Sequence, residues 1–275
     1  MRWLAVGEHQ VPADDAWLAP TEAARLAQYR FTKRRTEYRL RRWAGKQAVA
    51  AFAGLDPAPS RLASVEVLNR PGGAPYVMVD GAPLGVEVSL TDRAGWAVCL
   101  IAARGGGRMD GRDRVGGRDR VGGRDKINVG VDLEIVEPRS DAFVTDFLTR
   151  SEAEYVRRRP GGAERDAAAN LIWSAKESAL KVLRTGLRAD TRSVEVCLAE
   201  EVRPDGWAAL EVRALGGALR LPGWWRRDGV FLLTVAYDVA ADPPVITTDR
   251  MITAGAAPFP VLGRRSRTGG PPGGR

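Results

Sequence analysis

Between residues 111 and 126 the chain reads Gly-Arg-Asp-Arg-Val-Gly-Gly-Arg-Asp-Arg-Val-Gly-Gly-Arg-Asp-Lys, a seven-residue unit that recurs without any apolar stripe. A segment with no face to bury gains nothing to offset the entropy of ordering its backbone. Residues 104–126 are therefore expected to form a disordered linker that divides the chain into an N-terminal half, 1–103, and a C-terminal half, 127–241. Beyond Asp242 the sequence carries Pro243, Pro244, a Gly/Pro-rich finish and few large apolar residues after Phe259, which predicts a loose tail over 242–275.

The same two segments hold most of the charge. Of the formal net charge of +8, residues 104–126 contribute +4, from seven arginines and Lys126 against Asp110, Asp113, Asp119 and Asp125. Residues 241–275 contribute +3, so the rest of the 275-residue chain is close to neutral, and nucleic acid is not an expected partner. No stretch approaches the roughly 20 apolar residues of a membrane-spanning helix, and no signal-peptide pattern opens the chain. The expectation is a cytoplasmic protein with no membrane partner. Cys99 and Cys197 sit in apolar runs and read as core thiols, not as a disulfide framework.

Periodicity predicts a helix from about Thr21 to Ala53, with Leu40, Ala44, Ala48 and Ala51 on one face. Short β-rich runs follow at Val65–Leu68, Tyr76–Val79, Val86–Leu90 and Trp96–Ala102. After the linker come a strand at Val129–Val136, helices at Asp141–Arg159 and Arg165–Leu183, and strands at Val194–Leu198, Ala208–Val212 and Val230–Tyr237. The fold class expected is α+β, two similar halves, each a long helix packed on a small, mainly antiparallel sheet.

Two motifs carry chemistry. In Gly130-Val131-Asp132-Leu133-Glu134 the carboxylates are two apart on a β-branched run, so both leave one face of a strand. Their repulsion is relieved by a hard divalent cation, and magnesium is usually held by a few carboxylates together with substrate phosphates. In Trp173-Ser174-Ala175-Lys176-Glu177-Ser178-Ala179-Leu180-Lys181, helical spacing gives a buried stripe of Ile172, Ala175, Ala179, Val182 and Leu183. Trp173, Glu177 and Lys181 fall on the opposite, exposed ridge. Only five of the 42 basic residues are lysine, and two of those lie between positions 176 and 181, where a compact ammonium suits a phosphate. A further cationic stripe, Arg35, Arg39, Arg42 and Lys46, marks one face of the first-half helix. The one histidine, His9, lies far from every motif.

Together and in order, about forty residues apart, the two motifs resemble the signature of the 4′-phosphopantetheinyl transferase superfamily, in its Sfp-type form. Ser89-Leu90-Thr91-Asp92-Arg93-Ala94-Gly95-Trp96 is similar to the family's Ser-Ile-Ser-His segment, Gly73-Ala74-Pro75-Tyr76 to its Gly-Lys/Arg-Pro turn, and Gly186-Leu187 and the strand at Ser193-Val194 also fit. The resemblance implies a monomeric pseudo-dimer with holo-acyl-carrier-protein synthase activity and a site between its halves. Asp132, Glu134 and Glu177 would hold Mg2+ against the diphosphate of coenzyme A, Glu177 and Lys181 would be catalytic, and Arg42, Lys46, Pro75, Thr91, Asp92, Lys176 and Lys181 would bind coenzyme A. The second partner would be an apo carrier protein of fatty acid, polyketide or nonribosomal peptide synthesis. Asp92 stands where the family has a phosphate-contacting histidine, and Ala74 where it has Lys or Arg. A carboxylate at 92 repels an anion unless a metal or cation offsets it. These departures define the rival expectation, a coenzyme A and magnesium binding module that no longer transfers.

Overall fold

Strands β1 (Arg2–Gly7) and β6 (Trp96–Ala103) run antiparallel in register from Arg2 opposite Ile101 to Gly7 opposite Trp96, and their alternation sorts side chains to two faces. Leu4, Val6, Ala97, Cys99 and Ile101 turn one way, into a core with Leu40, Ala44 and Ala48 of the long helix α2 (Thr32–Ala53). Trp3, Ala5, Val98, Leu100 and Ala102 turn the other way, against Val129, Val131, Leu133, Phe231, Leu233, Val235 and Tyr237 of a second sheet. The computed structural model describes residues 1–104, 127–185 and 189–247.

The first sheet has the order β12 (Val245–Ile246), β1, β6, β5 (Val86–Arg93). A three-stranded sheet, β2 (Val65–Asn69), β3 (Pro75–Val79) and β4 (Ala82–Pro83), flanks α2, with α1 (Pro20–Ala27) and α3 (Pro59–Leu62) beside it. The second large sheet has the order β7 (Val129–Ile135), β11 (Phe231–Tyr237), β10 (Arg220–Asp228), β9 (Trp207–Ala214), β8 (Val194–Val202) and is antiparallel throughout. Its far face is covered by α6 (Ala163–Leu183), supported by α4 (Asp141–Phe147) and α5 (Arg150–Arg157). The described residues thus form a mixed helix and sheet fold of six α-helices and three sheets, layered helix, sheet, sheet, helix.

The structure corrects several boundaries. The helix expected from Thr21 to Ala53 is two helices, broken at residues 28–31, and Ala51 is exposed. The helix expected over Asp141–Arg159 breaks at Leu148, where the Thr149 hydroxyl caps α5 by accepting from the Glu152 amide. Residues 242–247, expected to be loose, run along β1: Val245 and Ile246 pair in parallel with Arg2 and Trp3, and the Val245 amide donates to the Met1 carbonyl at 3.1 Å. Strands β1 and β10 carry no regular alternation in sequence, since β1 is buried on both faces and β10 contains Pro222 and Gly223.

The same polar device recurs in both halves. Lys46 of α2 and Lys176 of α6 are fully buried, each paired with a glutamate on the short helix before it: Lys46 with Glu22 at 2.5 Å, Lys176 with Glu152 at 2.8 Å. Lys46 also donates to the Trp17 and Leu62 carbonyls, and Lys176 to those of Thr191 and Val194. Each glutamate accepts the amide of its own helix N-cap, Ala19 or Thr149, and a strand amide, Val67 or Val196. Every charge is thereby bonded, as buried charge must be to be tolerated.

Candidate active site

Strand β7 sends Val129, Val131 and Leu133 into the core between the sheets, so Gly130, Asp132 and Glu134 face α6. Gly130 permits the closest approach: a Cβ there would lie 1.9 Å from the Ser178 carbonyl oxygen, so only glycine lets the helix settle onto the strand. That contact brings Ser174 and Lys181 to Asp132. Ser174 Oγ donates to Asp132 Oδ2 at 2.9 Å, and Lys181 Nζ donates to Asp132 Oδ1 at 2.8 Å and to the Val131 carbonyl at 2.7 Å.

The N-terminal half supplies the other wall. Strands β5 and β7 are the edges of their two sheets, and side chains take the place of a backbone ladder between them. Ser89 Oγ accepts the Val131 amide at 3.1 Å, and Thr91 Oγ1 accepts the Leu133 amide at 3.3 Å. Thr91 also donates to Asp132 Oδ1 at 3.2 Å, so one hydroxyl both joins the halves and touches the acid.

Glu177 and Glu134 complete the acidic group. The Glu177 carboxyl is pushed up to about 7, first by burial and then by the Asp132 charge, with Glu134 adding and Lys181 opposing. Burial and Asp132 likewise raise Glu134, against the pull of Arg93 and Arg139. Glu177 Oε1 and Glu134 Oε2 are buried and accept no hydrogen bond. Glu134 Oε2 does lie 3.2 Å from Arg93 and 3.5 Å from Arg139, which are anchored on Glu137. The ridge expected to be exposed is therefore half-buried. Three carboxyls, with Asp132 raising the proton affinity of both glutamates and Glu177 Oε1 buried and unpartnered, fit a divalent cation chemically. Among the described residues no group of three or more His, Cys, Asp or Glu side chains is placed to hold a metal ion by itself, so a cation here would need water and substrate oxygens as further ligands.

Beside this group opens a cleft of about 990 Å³ running between the halves. Its walls are Tyr38, Arg41 and Arg42 of α2, the turn around Arg70–Tyr76, β5 from Glu87 to Asp92, and Leu180, Lys181 and Arg184 at the end of α6. Of the residues expected to bind coenzyme A, Arg42, Pro75, Thr91, Asp92 and Lys181 line this cleft together. Arg42 lies over the Tyr38 ring at 4.7 Å and bonds Asn69. Asp92 is neutralised by Arg41, so its carboxylate does not confront the cleft uncompensated.

Two expected ligand residues are excluded. Lys46 and Lys176 have no exposed surface and are consumed by the Glu22 and Glu152 pairs, so neither ammonium reaches the cleft. Gly186 and Leu187 lie outside the described residues. Sequence reasoning missed Arg41, Arg93 and Arg184, whose partners lie far away along the chain, and Arg139, which pairs with the nearby Glu134 and Glu137. Arg41 had a local signal: Tyr38, Arg41, Arg42 and Gly45 follow the i, i+3, i+4, i+7 pattern, and Gly45 is where α2 closes on Val67 and Leu90.

Arg42, Arg70, Lys181 and Arg184 give the cleft a cationic lining suited to a phosphate-bearing anion, and Thr91 and Lys181 link that lining to Asp132 behind it. Residues 128–206 match the family model of the 4′-phosphopantetheinyl transferase superfamily. The matched span contains Asp132, Glu134, Glu177 and Lys181. No curated protein matches the chain. Among the described residues no helix is long and apolar enough to cross a membrane.

Proposed function

We propose that this protein is a magnesium-dependent 4′-phosphopantetheinyl transferase that moves the phosphopantetheine arm of coenzyme A onto a serine of an apo carrier protein and releases 3′,5′-ADP. The observation that carries the reading is the pairing of Asp132 on β7 with the half-buried Glu177 and Lys181 of α6, beside the cation-lined cleft. The superfamily match over the same residues supports it. The recurrence of the buried Lys–Glu device supports two related halves, 1–103 and 127–241.

Arg42, Arg70 and Lys181 supply the cations of the cleft that receives the anionic substrate, and Arg41 neutralises Asp92 within it. Magnesium held by Asp132, Glu134 and Glu177 would neutralise charge on the diphosphate. In the metal-free protein burial and the Asp132 charge raise the proton affinity of the Glu177 carboxyl, which favours it as the proton acceptor of this group. Glu177, directly or through a water it orients, takes the proton of the carrier serine. The serine oxygen forms its bond to the β-phosphorus as the bond to the leaving 3′,5′-ADP breaks. Lys181, fixed by the Val131 carbonyl, holds charge next to that centre and orients Asp132.

The test is to incubate the protein with coenzyme A, Mg2+ and apo carriers from fatty acid, polyketide and peptide synthesis, and to weigh the carriers. A gain of one phosphopantetheine on any of them supports the transferase. No gain on all of them, with coenzyme A still bound, favours the binding module that Asp92 and Ala74 motivate.

A further inference from the structure

The two long helices end alike in backbone and differently in residue. α2 closes on Gly54 with φ 67°, and α6 closes on Arg184 with φ 58°. Left-handed backbone at a helix end is what glycine adopts without strain, while a residue with a Cβ is strained there. The other non-glycine residues with positive φ are Asp80 and Ala94, each preceding a glycine in a two-residue hairpin turn whose geometry demands it. Of the two long helices, only α6 closes on a residue with a side chain in this conformation. A strained residue kept in place points to a task for its side chain.

That side chain crosses between the halves. Arg184 Nη2 bonds Glu87 Oε1 on β5 and, at 3.0 Å, Asn128 Oδ1 ahead of β7. Glu87 is buried, and its second oxygen takes two bonds from Arg104 at 2.9 and 2.6 Å. Asn128 is fixed in turn by Asp238 through its amide at 2.8 Å and its side-chain nitrogen at 2.6 Å. Arg184 and Glu87 both line the cleft, one turn of α6 from Lys181.

We propose that Arg184 is a positioning residue. By tying the end of α6 to β5 through Glu87 and to β7 through Asn128, it sets the separation of the cleft walls and the place of Lys181 beneath the bound anion. The inference rests on the proposed binding of coenzyme A in this cleft.

Three full-length proteins test it, the unaltered chain, R184G and E87Q, each measured for coenzyme A binding by calorimetry and for thermal melting. Glycine relieves the backbone strain, so R184G is expected to melt no lower than the unaltered chain while binding coenzyme A about tenfold more weakly. E87Q is expected to weaken binding although Arg184 remains, because the guanidinium keeps only neutral acceptors in place of its charged anchor. R184G binding coenzyme A as tightly as the unaltered protein overturns the proposal. So does an E87Q that keeps or gains affinity while R184G loses it, since Arg184 would then be touching the ligand itself. An unaltered chain that does not bind coenzyme A at all removes the function reading, and this inference with it.

Discussion

Replacing Lys176 with methionine separates the role that its motif suggests from the one the fold gives it. The side chain is fully buried, paired with Glu152 at 2.8 Å and bonded to the Thr191 and Val194 carbonyls at 2.7 and 2.6 Å. Methionine keeps the length and removes the charge, which leaves the Glu152 carboxylate buried with only its Thr149 and Val196 amide donors. Breaking one side of such a pair costs about 3–5 kcal/mol, against a total stability of about 5–15 kcal/mol. At roughly 2–4 °C per kcal/mol for a chain of this size, melting should fall by about 6–20 °C. Calorimetric melting measures that loss. Coenzyme A affinity, measured well below the transition, should stay within about twofold, because the ammonium never reaches the cleft. A K176M protein of normal stability that has lost coenzyme A binding would refute this assignment and restore Lys176 to the phosphates.

Glu177→Gln keeps size and removes the proton acceptor, so turnover should drop at least about 100-fold with the fold intact, as circular dichroism would show; near-normal turnover takes Glu177 out of the mechanism. Because the Glu177 carboxyl sits at about 7 when folded, above its ordinary value of 4.5, its contribution to stability is complete below pH 4.5 and is lost as pH rises through 7. Metal-free protein should therefore melt progressively lower across that window, and Mg2+ should raise the melting temperature at pH 8; absence of any Mg2+ shift at pH 8 counts against the metal site. Asp92→Asn frees Arg41 and removes a negative charge from the cleft wall, so coenzyme A should bind about threefold to tenfold more tightly by calorimetry, and weaker binding would show that Asp92 serves to aim Arg41. Replacing residues 105–126 with a ten-residue Gly/Ser segment should leave carrier modification near normal in the mass assay, whereas its loss would give the basic repeat a functional part.

Much of this site was written in two periodicities. The alternation of Gly130, Asp132 and Glu134 fixed one face of a strand, and Trp173, Glu177 and Lys181 one ridge of a helix, and the structure lays that ridge over that face. Spacing does not reveal how many sides of a helix are covered. α6 is packed against its own sheet, α5 and β8 together, so Lys176, next to the apolar stripe, is enclosed with Glu152 rather than presented to ligand. For the same reason the stripe Arg35, Arg39, Arg42 and Lys46 splits: Lys46 is buried on Glu22, Arg39 bonds the carbonyls of Ala13 and Asp14, and Arg42 reaches the cleft. Arg184 was invisible because its partner Glu87 sits on β5 of the opposite wall, and the pairing of Arg41 with Asp92 on β5 likewise joins elements distant in sequence.

The joint between β5 and β7 explains why the acidic group depends on both halves. Had the two edges paired through their backbones, the amides of Val131 and Leu133 would be satisfied by carbonyls, and β5 would have no reason to carry hydroxyls there. Instead Ser89 and Thr91 accept those amides, and the Thr91 hydroxyl proton is left to go to Asp132. An alanine at 91 would strip one buried amide of its acceptor and one carboxylate of its donor together. The residue that holds the halves in register is thus the residue that orients the acid. Arg184, reaching Glu87 from the end of α6, repeats that logic at the cleft, so interface and site are one set of bonds rather than two.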